Sequence, residues 1–256
     1  MAVSFSSEGP IGFITLDHPP ANSYDLAYMK EYSRAVDEAI GGGTRVVIVR
    51  SANPKFFCAG ADIKRFIEGD IEANMEMIRV SQDAFRRMAA AQQVFIAYMA
   101  GHALGGGLEI ALACDIRLAA TGGYKMGLPE VSLGILPGNG GTQRLTRLIG
   151  PSRSLELLLT GRTYSPEEAH QMGLVAHVYD ADGAEASVRE YAERLANGPA
   201  LAIAAIKRCV HEGGQRSLDE GLALEAELME ALFRTKDADE GLHAFAEKRK
   251  PEFVGA

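Results

Sequence analysis

The chain of 256 residues contains no tryptophan and only three cysteines, Cys58, Cys114 and Cys209. An odd number of widely spaced cysteines makes neither a disulfide framework nor a zinc site. Such sparing use suits a reducing compartment, so a cytoplasmic protein is expected. Basic residues are the minority: 26 Lys and Arg stand against 34 Asp and Glu, for a formal net charge of −8. That balance argues against a nucleic-acid partner, because neutralising phosphates needs a basic surface. No apolar run reaches the roughly 18–20 residues that span a bilayer, so no membrane partner is expected. The first 20 residues show no basic region ahead of an apolar stretch and no Arg-rich amphipathic pattern. Neither a signal nor a transit peptide is therefore expected. What remains is an average globular mixture, 47% hydrophobic and 23% charged, of a length that suits one domain or one domain with an appendage.

Strand-like and helix-like pieces alternate over the first 120 residues. Ile11–Leu16 is apolar and β-rich and stops at the turn cluster Asp17-His18-Pro19-Pro20. Leu26, Met29, Val36 and Ile40 recur at helical spacing, and Gly41-Gly42-Gly43 ends that helix. Val46–Val49 and Val94–Met99 are short continuous apolar runs, as expected of strands covered on both faces. A polar helical segment around Ile71–Ala91 lies between them, and Leu108–Ala113, apolar on every side, predicts a buried helix. Ile116–Ala120 returns to strand character. This order implies a layered α/β core with right-handed crossovers. From Ser152 onward the pattern predicts almost nothing but helices. Ser165-Pro166-Glu167-Glu168 and Ser217-Leu218-Asp219-Glu220 read as capping boxes. The second opens a helix with an apolar stripe at Leu218, Leu222, Ala226, Met229 and Phe233. A composition shift near Leu195–Pro199 divides a core, 1–195, from a helical C-terminal module, 196–256. No internal repeat is visible.

Three segments look unlike ordinary core. Phe56–Lys64 places small residues directly after a strand, Gly101–Glu109 sets a triple glycine between a strand and a buried helix, and Gly127–Glu130 is followed by Pro137–Thr142. Gly-rich strand-to-helix turns free backbone N–H groups and aim a helix N-terminus at whatever sits there. Two such turns could each give one N–H to a single oxygen that becomes anionic during reaction; tight helix–strand packing is the plain alternative. No nucleotide-binding glycine motif is complete, and there is no G-x-S-x-G elbow. Glu109 lies inside an otherwise apolar helix, and Glu130 follows a Gly-Leu-Pro turn in apolar surroundings. Desolvation raises the pKa of an unpaired carboxyl, which suits a general acid or base near neutral pH. Either Glu alone could be a buried partner of Arg or of backbone N–H groups. Together, beside two glycine turns, they point to chemistry.

Cys58-Ala59-Gly60-Ala61-Asp62-Ile63-Lys64, Ala103-Leu104-Gly105-Gly106-Gly107-Leu108-Glu109, Pro129-Glu130 and Pro137-Gly138-Asn139-Gly140-Gly141-Thr142-Gln143-Arg144-Leu145 resemble the enoyl-CoA hydratase/isomerase (crotonase) superfamily, hydratase subgroup. Leu159-Thr160-Gly161, the Ala169–Val175 stretch and the ending Phe245–Phe253 extend the resemblance over nearly the whole chain. It implies an α/β fold of repeated ββα units, with two roughly perpendicular sheets and a helical C-terminal trimerisation module. It further implies an acyl-CoA thioester substrate, no metal, no cofactor beyond the coenzyme A of the substrate, and a homotrimer or homohexamer. By position, the N–H groups of Ala61 and Gly106 would form an oxyanion hole for the thioester carbonyl. Glu109 and Glu130 match the glutamates that activate water and deliver the proton. Ala21, Ala59, Ala61, Asp62, Ile63, Lys64, Gly106, Gly138 and Lys248 match substrate- and CoA-binding positions; Lys64 and Lys248 also read as solvated surface charges. The implied reaction is hydration of a 2-enoyl-CoA. A double-bond isomerase, which needs one proton shuttle, and a catalytically silent binding subunit are the alternatives.

The sequence also departs from the family pattern. Gln92-Gln93-Val94 stands where many members have Lys-Pro-Val, Ala100 where Asn is common, and Ala21-Asn22-Ser23-Tyr24 in place of Asn-Ala-Leu. These departures are expected to leave the chemistry untouched, the last altering at most the wall of the CoA site. His102 is expected to pack, Cys58 and Cys114 to be small core residues, and the acyl tail to lie along the Phe66–Ala91 region.

Overall fold

The apolar runs form strands because each buries both of its faces. The structure is a computed structural model describing residues 1–256. Its elements in chain order are β1 (Val3–Glu8), β2 (Ile11–Leu16), α1 (Leu26–Gly41), β3 (Val46–Ser51), β4 (Phe56–Cys58), α2 (Ile63–Glu68) and α3 (Ile71–Ala90). There follow β5 (Val94–Met99), β6 (His102–Leu104), α4 (Gly106–Ala113), β7 (Ile116–Ala120), β8 (Met126–Gly127), a 3₁₀ turn (Glu130–Leu133) and α5 (Gly141–Ile149). The remainder comprises α6 (Pro151–Thr160), α7 (Pro166–Gln171), β9 (His177–Tyr179), α8 (Ala184–Ala196), α9 (Ala200–Arg208), a π-helical turn (Cys209–Gly213), α10 (Leu218–Leu232) and α11 (Lys236–Glu247).

Six strands make one sheet in the order β1-β2-β3-β5-β7-β9, antiparallel only at the β1–β2 hairpin. Three very short strands, β4-β6-β8, make a second, parallel sheet. The period of two explains the continuous runs. Ile11, Phe13, Val46, Ile48, Val94 and Ile96 pack against Val188, Ala192 and Ala196 of α8. Their neighbours Ile14, Leu16, Val47, Val49, Phe95 and Ala97 join the larger core on the opposite face, which includes buried residues of α1, α3 and α4.

A repeat invisible in the residues emerges from the topology. Three times the chain runs through a strand of the large sheet, a strand of the small one, and then a helix: β3-β4-α2, β5-β6-α4, and β7-β8 with its 3₁₀ turn. A fourth unit is vestigial: after β2, Tyr24 makes a single parallel bridge to Ala61 before α1 begins. The small-sheet strands all end where the glycine-rich segments begin, so this topology gathers those segments at one edge.

Both capping boxes are present, at Ser165 with Glu168 and at Ser217 with Glu220; losing such a cap typically costs ~1 kcal/mol. The stretch from Ser152 onward is helical as expected except at β9, which pairs in parallel with β7 at the sheet edge. Three residues are too few for an alternating pattern to show. Lys207 of α9 ties the tail to the core: its ammonium donates to Met88 O (2.7 Å) and Gln93 O (2.6 Å) and pairs with Asp115 (2.9 Å). No helix is long and apolar enough to cross a membrane.

Candidate active site

The first glycine segment leaves β4 and turns into α2 at Asp62, whose carboxylate caps the helix by accepting from the N–H groups of Lys64 and Arg65. The second leaves β6 and starts α4 at Gly106. Gly60 has φ +93°, and a Cβ placed on it would lie 3.0 Å from Leu104 O and 3.3 Å from the Gly106 nitrogen. The two turns are therefore in contact, and only glycine fits at 60. Gly107 allows α4 to sit against β4, since a Cβ there would fall 2.1 Å from Cys58 O. At this junction the backbone N–H groups of Ala61 and Gly106 have no acceptor within the chain. Backbone N–H groups inside a fold are normally paired; these two remain free to donate.

Glu109 occupies the first turn of α4, fully buried. One oxygen, Oε1, accepts from the N–H groups of Asn139 and Gly141, each at 2.7 Å. The loop Pro137–Gly141, which the sequence shows as an incomplete nucleotide motif, is thus the cradle of a carboxylate. Gly141 permits the approach: a Cβ would lie 3.0 Å from Glu109 Oε1 and 2.9 Å from Leu128 Cδ1. Arg144 steadies the loop by donating to Asn139 O (2.8 Å). Burial pushes the Glu109 carboxyl up to about 7, opposed by the Gly141 N–H, reinforced by the Glu130 charge, and opposed again by the Asn139 N–H and Arg144. Glu130 begins the 3₁₀ turn after β8. Its Oε1 lies 3.1 Å from where a Gly105 Cβ would be, and its Oε2 is buried without any partner. Burial lifts this carboxyl also to about 7, with only a backbone hydrogen bond opposing. Glu109 is both a partner of backbone N–H groups and a perturbed acid, so the two sequence readings of it coincide.

The structure gathers Ala61, Gly106, Glu109 and Glu130 into one site. Ala59 and Asp62 flank it: Ala59 N–H donates to Ala21 O, and Asp62 N–H to Tyr24 O. Gly138 O accepts from Gln82 of α3 at 2.8 Å, so that glycine lines the loop facing α3. Ile63 and Lys64 are exposed on the first turn of α2. Lys248 lies apart, exposed at the C-terminal cap of α11. His102 packs between Phe56 and Tyr124, its Nδ1 accepting from the Lys125 N–H. Cys58 and Cys114 are buried, and burial pushes both thiols up to about 12. Nowhere do three His, Cys, Asp or Glu side chains converge as metal ligands would.

Two participants escape the sequence reading. Tyr24 is buried with its hydroxyl at the site, accepting from Asn139 Nδ2 at 2.9 Å. A Cβ on Gly106 would lie 1.7 Å from that hydroxyl. The departure at residues 21–24 therefore places a hydroxyl in the wall of the site, against Gly106 and Asn139. No spacing along the chain links residues 24, 106 and 139: the bridge to Ala61 brings in Tyr24, and the bond to Glu109 brings in Asn139.

The profile of the enoyl-CoA hydratase/isomerase family matches residues 6–256. The chain belongs to that family. It is 39% identical, over 95% of its length and 94% of the relative's, to a Mycobacterium bovis protein named probable enoyl-CoA hydratase. It is 35% identical to the 2,3-dehydroadipyl-CoA hydratase of Escherichia coli, over 94% of both chains. The crystal structure of an enoyl-CoA hydratase from Geobacillus kaustophilus superposes with a TM-score of 0.96 at 43% identity, covering 100% of this chain and 97% of the other. The α/β architecture with its large and small sheets is the crotonase fold expected from the motifs.

Proposed function

We propose that this family member is an enoyl-CoA hydratase. The observation that carries the reading is one buried site holding two carboxyls, both pushed up to about 7, beside two unpaired N–H groups. Water adds across the C2=C3 bond of a 2-enoyl thioester. Its oxygen bonds to C3, a proton reaches C2, and negative charge passes through the thioester oxygen. The Ala61 and Gly106 N–H groups hold that oxygen; losing one such donor typically costs ~10²–10³ in rate. Glu109, with Oε1 held by two N–H groups, keeps Oε2 for the water. Glu130, with an unpartnered buried oxygen, suits a carboxyl that carries the proton. So written, the reaction needs no metal or redox cofactor. Presenting the protein with 2-enoyl- and 3-enoyl-CoA thioesters separately tests the reading. Consumption of the 2-enoyl substrate to a 3-hydroxyacyl product is expected; interconversion of the two enoyl isomers without hydration would make it an isomerase, and inertness toward both a silent subunit.

The exposed Lys64, on the turn after Ala61, is proposed to meet the CoA phosphates, with a weaker contribution from Lys248. Local charge outweighs a net −8 within the ~8–10 Å Debye length. Lys64→Ala should raise KM and make it less sensitive to salt. No change in either quantity would leave Lys64 a surface charge.

We also propose a cytoplasmic homotrimer, or a dimer of trimers, built through residues 196–256. Phe245 of α11 is 87% exposed, and Leu218 and Phe233, at the two ends of α10, are 77% and 65% exposed, far more than apolar residues on two successive helices need be. Soluble monomers avoid contiguous apolar patches of that kind. Light scattering at micromolar concentration should give a multiple of three chains; a monomeric mass would refute the assembly.

A further inference from the structure

Tyr24 is not used by the hydration scheme, yet three parts of the site meet on it. Its main chain brackets Ala61: its N–H donates to Gly60 O (2.9 Å) and its carbonyl accepts from the Asp62 N–H (2.8 Å). Its ring crosses to the second turn and fills the space that Gly106 leaves by having no side chain. Its hydroxyl accepts from Asn139 Nδ2, and the N–H of the same asparagine donates to Glu109 Oε1. We propose that Tyr24 is a positioning residue, spacing the Ala61 and Gly106 turns and, through Asn139, holding the loop that fixes Glu109.

Asn139 explains why the hydroxyl matters. Its Oδ1 is buried with no partner, so the bond to Tyr24 is the one hold on its side-chain amide within the chain. Without it, a buried amide has every reason to turn toward water, since unpaired buried polar groups are costly. Its main chain would follow, lengthening the N–H bonds to Glu109. Those bonds stabilise the carboxylate, so weakening them raises the Glu109 pKa further. Burial, with the charges of Glu109, Cys58 and Glu130, keeps the Tyr24 phenol protonated well above its usual range, so Tyr24 itself does not titrate near neutral pH.

The kinetic consequence rests on the hydratase reading; the effect on Glu109 does not. Tyr24→Phe keeps the ring and removes the hydroxyl. With crotonyl-CoA, kcat should fall about 10–10²-fold, the cost of a small misplacement, while KM stays unchanged and the acid limb of the pH profile moves to higher pH. Asn139→Ala should do the same from the other end, and the double variant should be no worse than the worse single, as for residues acting in one network. Carbon NMR of the Glu109 carboxyl, assigned by its loss in Glu109→Gln, should show the upward shift in unliganded Tyr24→Phe. An unmoved pH limb and an unmoved Glu109 titration would overturn the proposal, whatever happens to kcat or melting temperature. Should the wild type fail to hydrate crotonyl-CoA, the hydratase reading falls, and the Glu109 titration alone decides the role of Tyr24.

Discussion

Replacing Glu109 or Glu130 with glutamine should each lower hydratase turnover by at least ~10²-fold, since positioned acid–base groups contribute typically ~10²–10⁴. Glutamine preserves size and, at 109, an oxygen for the Asn139 and Gly141 N–H groups. What it removes is the proton-carrying function. The double variant should lose little more than the worse single, because groups that act as a unit are not additive. Binding of a CoA thioester should survive in all three variants, as it rests on the CoA moiety and the two N–H donors. A Glu130→Gln enzyme that hydrates normally while Glu109→Gln is dead, or the reverse, would show that one carboxyl suffices. The two-glutamate mechanism would then be wrong.

The same substitutions should stabilise the fold at neutral and alkaline pH. Both carboxyls are raised in the folded state from an ordinary 4.5 to about 7. Below the unfolded value both states are protonated, and neither glutamate carries an ionisation cost. Between 4.5 and 7 the folded state holds more protons than the unfolded one, so stability falls as pH rises. Above 7 the loss is complete. At ~1.4 kcal/mol per pK unit, each site costs the fold on the order of 3 kcal/mol, and the two titrate as a pair. Glu130→Gln should therefore melt several degrees above wild type at pH 8, given ~2–4 °C per kcal/mol at this size. Near pH 4.5 the two should melt together. A gap independent of pH, or one that closes as pH rises, would contradict the burial account.

Much of this was legible in the residues, for definable physical reasons. Val46–Val49 and Val94–Met99 read as doubly covered strands because both faces of the large sheet are buried. Leu108–Ala113 read as a buried helix because every residue of α4 is enclosed. The motif around Pro137–Gly141 was visible, but its task was not: three glycines and an asparagine do not announce that a carboxylate 30 residues earlier will sit in them. β4, β6 and β8 are two or three residues long, too short for a period, so the ββα repeat came from resemblance rather than pattern. The place of Tyr24 at the site is not legible in the sequence for a related reason. Its strand is a single bridge to Ala61, and its neighbours at the site come from positions 106 and 139.

One site, with two carboxyls and two N–H donors, is proposed to put a water molecule across a conjugated thioester. Turnover of crotonyl-CoA by the wild-type protein in water enriched in heavy oxygen tests it most directly. Loss of the enoyl absorbance and a 3-hydroxyacyl-CoA labelled at the C3 oxygen are expected, with the label absent from Glu109→Gln reactions over the same time. Persistence of the enoyl absorbance with no label in the product would contradict it.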